Sequence, residues 1–194
     1  MISVIDYNAG NIRSVLYALD RLSVDYRLTS DPNLIRSADK VIFPGVGAAG
    51  STMEHLRETG LGEVIKSLIQ PVFGVCVGMQ LLCQYSEENN TECLGVFPVK
   101  VKRFQPVNGE KVPHMGWNNI QLTDRTWLSN SLEGEYCYYV HSYYVEQNPY
   151  TSATTDYCGT FAAVMQKDNF YAAQFHPEKS AKAGEQVLKD FLAI

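Results

Sequence analysis

The 194-residue sequence has no surplus of basic side chains and no long run of apolar ones. Its 16 Lys and Arg residues stand against 21 Asp and Glu, and a formal net charge of −5 cannot neutralise a phosphate backbone. No apolar run approaches the roughly 20 residues that cross a bilayer, and the first residues have no basic segment typical of a secretory leader. These absences predict a soluble cytoplasmic protein that binds neither nucleic acid nor membrane.

Paired cysteines are also missing, because the five cysteines are odd in number and form no CxxC motif. A domain of this length buries roughly 70% of the surface that its unfolded chain exposes, so it needs no disulfide or structural metal. Free cysteines mostly fill space in a core, and only local features single out a reactive one. The five are Cys76, Cys83, Cys93, Cys137 and Cys158.

The first half of the chain alternates short β-branched runs with segments of helical period, which is typical of βα units and a mostly parallel sheet. After about Gly95, aromatic and β-branched runs between turn residues predict added antiparallel strands. We therefore predict one α/β domain over residues 1–194, with helices on both faces of the sheet. The predicted strands are residues 2–5, 25–28, 40–43, 72–75, 96–101, 136–145, 161–166 and 169–175, and the predicted helices are 11–22, 51–57, 63–69 and a last helix that carries Val187, Leu188, Phe191 and Leu192.

A glycine-rich segment at residues 45–50, GVGAAG, matches G-x-G-x-x-G between a predicted strand and a helix. A dinucleotide fold normally carries this motif after its first strand, with an acid ending the next strand, where this chain has Cys76. Ser51 also stands where a phosphate-binding P-loop needs lysine. Two interpretations remain open: a tight turn, or a loop that aims backbone N–H groups at a developing oxyanion.

Cys76 is the candidate nucleophile, because residues 74–78, GVCVG, have the form of the G-x-S-x-G elbow with sulfur in place of oxygen. Such an elbow holds the side chain exposed on a sharp strand-to-helix turn. The N-terminus of the following helix stabilises a thiolate, and the N–H of Val77 would face a tetrahedral oxyanion. The pattern predicts nucleophilic catalysis at the carboxyl end of a central strand.

A cysteine nucleophile needs a base and an orienting acid, and His176 and Glu178 follow another predicted strand. The other three histidines are less suitable: His55 lies in a predicted surface helix, His114 follows Pro113 in a predicted loop, and His141 lies within a strand-like aromatic run. A zinc deaminase would need a later PCxxC motif, which is absent. Glu178 is therefore interpreted as the carboxylate that fixes the imidazole tautomer.

These motifs resemble those of the class I (triad) glutamine amidotransferases. Residues 72–82, VFGVCVGMQLL, are similar to the family's nucleophile motif, and residues 175–178, FHPE, to its base-and-acid motif. The resemblance implies a flavodoxin-like core with added antiparallel strands, and no metal or cofactor. Glutamine is the implied substrate, hydrolysed to glutamate and ammonia through a glutamyl thioester, with Cys76 as nucleophile, His176 as general acid and base, and Glu178 as its orienter.

Further segments resemble the glutaminase subunits that serve imidazole glycerol phosphate synthase, over the whole chain. The implied partner is a cyclase subunit with a (β/α)₈ barrel, which uses the ammonia to make imidazole glycerol phosphate and an aminoimidazole carboxamide ribotide in histidine biosynthesis. This chain departs from the family's usual residues at Val75, Val77 and Ala181, and none of these departures involves a reacting group. The similar segments are residues 6–14 (DYNAGNIRS), 44–47 (PGVG), 113–118 (PHMGWN) and 139–144 (YVHSYY).

The same resemblance implies roles around the triad, each with a plainer alternative. Gln80 could instead bond backbone in the first turn of a helix, and Glu88 could be a solvated loop charge. Ser142 could rival Cys76 as a nucleophile, but an ordinary strand lacks the elbow that activates a serine. The implied oxyanion residues are Val46, Gly47 and Val77, and the implied glutamine-binding residues are Gln80, Glu88, Ser142 and Tyr143.

Docking residues around an ammonia exit are expected at Met115, Trp117, Tyr138 and Lys179, with core packing as the alternative for the two aromatics. Three alternative functions remain: another triad amidotransferase, a γ-glutamyl hydrolase, or a non-catalytic regulatory subunit. The segments at 114–118 and 141–144 argue against the first two, and the complete triad argues against the last.

Overall fold

A computed structural model describes residues 1–7, 12–45, 47–107 and 109–194. Most helices lie in the first half of the chain, and α6 closes the C-terminus. Short 3₁₀ turns occur at Glu88–Asn90, Asn130–Leu132 and Pro177–Lys179. The α-helices within the described ranges are α1 (Ile12–Arg21), α2 (Pro32–Arg36), α3 (Ala49–Glu58), α4 (Leu61–Lys66), α5 (Val77–Leu82) and α6 (Ala181–Ala193).

The strands of the described ranges form three sheets. The N-terminal strands are β1 (Ile2–Ile5), β2 (Tyr26–Thr29), β3 (Lys40–Phe43), β4 (Val72–Val75), β5 (Cys83–Ser86), β6 (Thr91–Glu92) and β7 (Phe97–Arg103). The C-terminal strands are β8 (His114–Asn119), β9 (Gln121–Leu122), β10 (Tyr136–His141), β11 (Tyr143–Val145), β12 (Thr151–Asp156), β13 (Thr160–Lys167) and β14 (Phe170–Ala173).

The main sheet has eight strands in the order β2-β1-β3-β4-β14-β13-β12-β9. The first five are parallel, and this order is that of a flavodoxin-like sheet with β14 as its fifth strand. The remaining three are antiparallel. The smaller sheets are β10-β8 and β11-β7-β5-β6. The predicted α/β class with added antiparallel strands is confirmed.

Helices cover both faces of the main sheet because successive strand residues point in opposite directions. In β3, Val41 and Phe43 belong to one apolar core, which α2, α3, α4 and α5 complete. Ile42 belongs to a second core on the other face, which α1 and α6 complete. The central strands are buried on both faces, and their alternate residues enter two different cores, which accounts for the two helical layers that the sequence predicted.

The prediction of one continuous strand over residues 136–145 is wrong. The run divides at Ser142 into β10, which pairs with β8, and β11, which pairs with β7. Its uniformly aromatic and β-branched composition carries no sign of this change of partner. His114, expected in a loop, begins strand β8 opposite His141. Gly and Asn give β8 a weak strand propensity, so its conformation depends on pairing with β10.

The described ranges contain no helix long and apolar enough to cross a membrane. The same residues hold no cluster of His, Cys, Asp and Glu able to bind a metal ion. Cys83 and Cys137 are buried, whereas Cys93 and Cys158 are half-buried. Burial raises the pKa of Cys93 to about 11 and that of Cys137 to about 12, so both thiols are protonated at neutral pH.

Candidate active site

Cys76 lies on the sharp turn between β4 and α5, at the carboxyl end of the parallel sheet. Its φ of 52° and ψ of −110° are unusual for a residue with a side chain, so the turn stores strain that the surrounding structure maintains. The Cys76 backbone N–H donates to Ala173 O on the neighbouring strand at 2.8 Å. The nucleophile is thereby held between two adjacent strands of the main sheet.

Two glycines allow another loop to pack directly on this turn. A Cβ at Gly45 would lie 1.8 Å from the backbone nitrogen of Gly78, and a Cβ at Gly78 would lie 2.3 Å from Phe43 O. Side chains at either position would separate the two backbones. Gly47 has a φ of +106° and lines the cleft beside Cys76. Val46, the other residue expected in the oxyanion loop, lies outside the described residues.

His176 and Glu178 form a buried pair at the end of the neighbouring strand. His176 Nδ1 lies 2.8 Å from Glu178 Oε1, and the two side chains are 4% and 6% exposed. Burial by itself would lower the pKa of His176, but its interactions with Cys76 and Glu178 raise that pKa to about 10. The imidazole is therefore protonated at neutral pH, and it interacts with both the Cys76 sulfur and the Glu178 carboxylate.

The cleft beside Cys76 has a volume of about 260 Å³, which suits an amino acid. It brings together predicted residues from four separate parts of the chain. Pro113, Val140 and His141 line it without having been predicted as site residues. The predicted residues that line it are Gly47, Cys76, Val77, Gln80, Glu88, Ser142 and Tyr143.

Gln80 and Glu88 have structural contacts as well as a place in this cleft. The Gln80 side-chain amide donates to Tyr143 O and to Gln174 Oε1, each at 2.9 Å. Glu88 is half-buried and accepts the Ala49 backbone N–H at 2.7 Å, at the start of α3. Glu88 therefore has a backbone partner in addition to its place in the cleft.

Sequence reasoning missed Gln174, which is fully buried and donates to Cys76 Sγ at 3.8 Å. It directly follows β14, which ends at Ala173 and not at residue 175 as predicted, and it precedes His176 by two residues. A polar residue at the end of an apolar run, two positions before His176, is the signal that could have identified it.

The expected docking residues lie beside the triad on an outward face. Met115 and Trp117 of β8 are 63% and 53% exposed, and the ring of Tyr138 on β10 contacts that of Trp117 at a centroid distance of 6.0 Å. Lys179 is exposed on the 3₁₀ turn that follows His176. Core packing is therefore wrong as an interpretation of Trp117, whereas Tyr138 is half-buried.

The family comparisons agree with this arrangement. The family model for "Glutamine amidotransferase class-I" matches residues 3–194. A solved structure of a glutamine amidotransferase superposes with a TM-score of 0.76 at 18% identity, covering 99% of this chain and 97% of the other, which shows the fold alone. The chain belongs to the class I glutamine amidotransferases.

Similar proteins with curated names show which branch of this family the chain belongs to. The chain is 58% identical to "Imidazole glycerol phosphate synthase subunit HisH" of Bacteroides thetaiotaomicron over 194 residues, covering 100% of this chain and 99% of the relative. It is 43% identical to the subunit of the same name from Idiomarina loihiensis, over 98% and 96% of the two chains. Within its class, the chain belongs to the HisH subunits, the glutaminase subunits of imidazole glycerol phosphate synthase in histidine biosynthesis. The other triad amidotransferases, the γ-glutamyl hydrolases and a regulatory role are not supported.

Proposed function

We propose that Cys76, His176 and Glu178 carry out the glutaminase reaction of this subunit. One observation carries the assignment: a protonated, carboxylate-bound His176 interacts with Cys76, which lies on a strained turn beside an amino-acid-sized cleft. A thiolate is the nucleophilic form of cysteine, and an adjacent imidazolium stabilises it.

The reaction proceeds in two steps. The Cys76 thiolate attacks the side-chain carbonyl carbon of glutamine, and the C–N bond breaks as His176 gives its proton to the departing nitrogen. Ammonia and a glutamyl thioester result. His176, now neutral, takes a proton from water, and the hydroxide attacks the thioester carbonyl. Glutamate leaves, and the thiolate and imidazolium are restored.

Stabilisation of the oxyanion falls to the backbone N–H groups of Val77 and of the loop that contains Val46 and Gly47. Val77 and Gly47 both line the cleft beside the nucleophile. The positive φ of Gly47 supports a peptide that rotates to complete the oxyanion hole when the partner and its ligand bind. Full glutaminase activity in the isolated subunit would contradict this switch.

Glutamine binding is assigned to the remaining cleft residues. The Glu88 carboxylate provides the negative charge that an α-ammonium group requires, and Gln80 provides a neighbouring polar group. The backbone at Ser142 and Tyr143, where β10 ends and β11 begins, receives the α-carboxylate. These roles come from the family motif, and the common cleft supports them.

The ammonia passes to a cyclase subunit with a (β/α)₈ barrel, in a cytoplasmic heterodimer. Ammonia is mostly protonated at neutral pH and is then not nucleophilic, so transfer under cover preserves the reactive form. The cyclase makes imidazole glycerol phosphate and an aminoimidazole carboxamide ribotide. Met115, Trp117, Tyr138 and Lys179 form the docking face.

Glutamine hydrolysis by the subunit, with and without the cyclase and its ligand, tests the mechanism. We expect Cys76→Ala to remove turnover almost entirely, whereas Cys137→Ala, which removes a buried thiol elsewhere, keeps it. Substantial hydrolysis by Cys76→Ala would contradict the assignment of the nucleophile.

Binding of the cyclase tests the docking face separately. Trp117→Ala should weaken the complex by about 2 kcal/mol, or roughly 30-fold in Kd, because aromatic residues at interface centres contribute strongly. Ile69→Ala, at a 90% exposed residue, is the matched control. Equal affinities of the two variants, measured by calorimetry, would exclude Trp117 from the interface.

A further inference from the structure

A chain of side-chain amides connects the cleft wall to the nucleophile. Gln80 Nε2 lies 2.9 Å from both Tyr143 O and Gln174 Oε1. Gln174 Nε2 lies 3.8 Å from Cys76 Sγ, across 98 residues of sequence. Gln174 is 0% exposed and Gln80 is 2% exposed, so water has little access to these groups.

The direction of these hydrogen bonds follows from a single acceptor. A backbone carbonyl only accepts, so the Gln80 amide must face Tyr143 O with its nitrogen. That nitrogen directs its second proton at Gln174, which must therefore present its oxygen to Gln80. The Gln174 nitrogen is left facing Cys76 Sγ. Rotation of the Gln174 amide would place two donors against each other and an oxygen against sulfur.

A buried histidine pair holds the Tyr143 carbonyl from the other side. His141 Nδ1 lies 2.8 Å from Tyr143 O, and its Nε2 lies 2.9 Å from His114 Nδ1. His141 must donate through Nδ1, so its Nε2 accepts the proton that His114 shares. Burial lowers the pKa of His114 to about 4 and that of His141 to about 3, so both rings stay neutral. The acceptor that orients Gln80 is therefore fixed by two donors.

We propose that Gln174 is a further catalytic residue, whose side-chain N–H donates to Cys76 Sγ and stabilises the thiolate that attacks glutamine. The inference deepens the proposed function and rests on Cys76 as the nucleophile. His176 is the charged partner of the sulfur, and Gln174 adds a neutral, oriented donor. A hydrogen bond to a charged sulfur has a larger effect than one to a neutral thiol, so Gln174 favours ionisation.

Alkylation of Cys76 by iodoacetamide measures thiolate formation without using the glutamine-binding residues. The rate is followed against pH by mass spectrometry of the peptide that contains Cys76. Gln174→Met and Gln174→Leu remove the donor and fill the volume with two different shapes. Thr155→Val is the control, because it removes a buried hydroxyl that bonds Tyr139 Oη and Asn119 O. Thermal unfolding identifies which variants fold.

At pH values where the wild-type thiol is only partly ionised, we expect the two Gln174 variants to react about tenfold to a hundredfold more slowly. At high pH, their rates should reach at least the wild-type plateau, because every thiol is then ionised. Thr155→Val should follow the wild-type profile.

A folded Gln174 variant with the wild-type profile would overturn the inference. So would a rate reduced by the same factor at every pH, since that indicates a structural role alone. If wild-type Cys76 is no more reactive than Cys93 or Cys158, the proposed nucleophile fails instead, and the two failures are thereby distinguished.

Discussion

Two buried histidine sites adjoin strand β10 and have opposite protonation states. His176 is 3% exposed as a whole residue, and its pKa is raised to about 10. His114 and His141 are 3% and 6% exposed, and their pKa values are lowered to about 4 and about 3. Similar burial of the same side chain therefore gives an imidazolium in one site and neutral imidazoles in the other.

The partners account for the difference. Burial disfavours a charged imidazole in both sites. Around His176, the interactions with Cys76 and then with Glu178 raise the pKa by more than burial lowers it. The pair of His114 and His141 is instead bonded to neutral groups, mainly the Tyr143 carbonyl and each other. A buried histidine acts as an acid only where charge is placed beside it, and otherwise it serves as a fixed link between hydrogen bonds.

Replacing the Glu178 carboxylate should have the largest effect of the changes proposed for these two sites. It removes a charge that distinguishes the site of His176 from the neutral pair of His114 and His141. Glu178→Gln keeps the shape but removes the charge, so the pKa of His176 should fall and the glutaminase kcat of the assembled enzyme should drop by about 10³–10⁴-fold. Histidine NMR titration and steady-state kinetics measure the two changes. Glu63→Gln, on an exposed pair with Lys66, is the control. An unchanged pKa of His176 would show that the Glu178 charge does not cause its protonation.

The pH dependence of stability should have opposite signs for the two sites. The native pKa of His141 lies below its unfolded value near 6.5, so its contribution to stability is present above about pH 6.5 and is lost on acidification. His141→Gln keeps the hydrogen bonds without titrating. The fall in unfolding free energy between pH 7 and 4.5 should be smaller by about 2 kcal/mol than in the wild type.

Urea unfolding at several pH values measures this difference, with His55→Gln as the control on helix α3. If the unfolding free energy of His141→Gln falls between pH 7 and 4.5 by as much as that of the wild type, then His141 does not take up a proton on unfolding. The native pKa of His176 is raised instead, so its stabilisation is complete below about pH 6.5 and is lost as pH rises through about 10.

The smallest effect on stability and activity is expected at Asn118, which lies at the outer end of the pair of His114 and His141. Asn118 Nδ2 lies 3.4 Å from His114 Nε2 and donates to Asp156 O at 3.0 Å. Asn118→Leu should lower the unfolding free energy by about 1 kcal/mol, with glutaminase kcat nearly unchanged. A large loss of kcat in a folded variant would mean that the neutral pair takes part directly in catalysis.

The elbow and the base-and-acid motif could be predicted because their geometry is local. Gly74 and Gly78 flank Cys76 within one turn, and Glu178 lies two residues from His176, so the spacing itself brings the groups together. The parallel order of the first strands also follows from the alternation of short strands and helices. These features involve contacts within a few residues or within single βα units.

Other features depend on which strands become neighbours. The division of the run 136–145 at Ser142, and the pairing of His114 with His141, follow from the register of β8 and β10. Gln174 meets Cys76 and Gln80 only because β14 lies beside β4.

By itself, the sequence predicted the α/β class from its residue periods, and its short motifs showed the resemblance to the family and pointed to the three proposed triad residues. Only the tertiary structure decided which histidine is charged, which way the Gln80 and Gln174 amides point, and which aromatics are exposed. Those properties depend on burial and on partners far away in sequence. The groups that folding places around a side chain set the free energy of protonating it, and they also set which of two amide orientations is favoured.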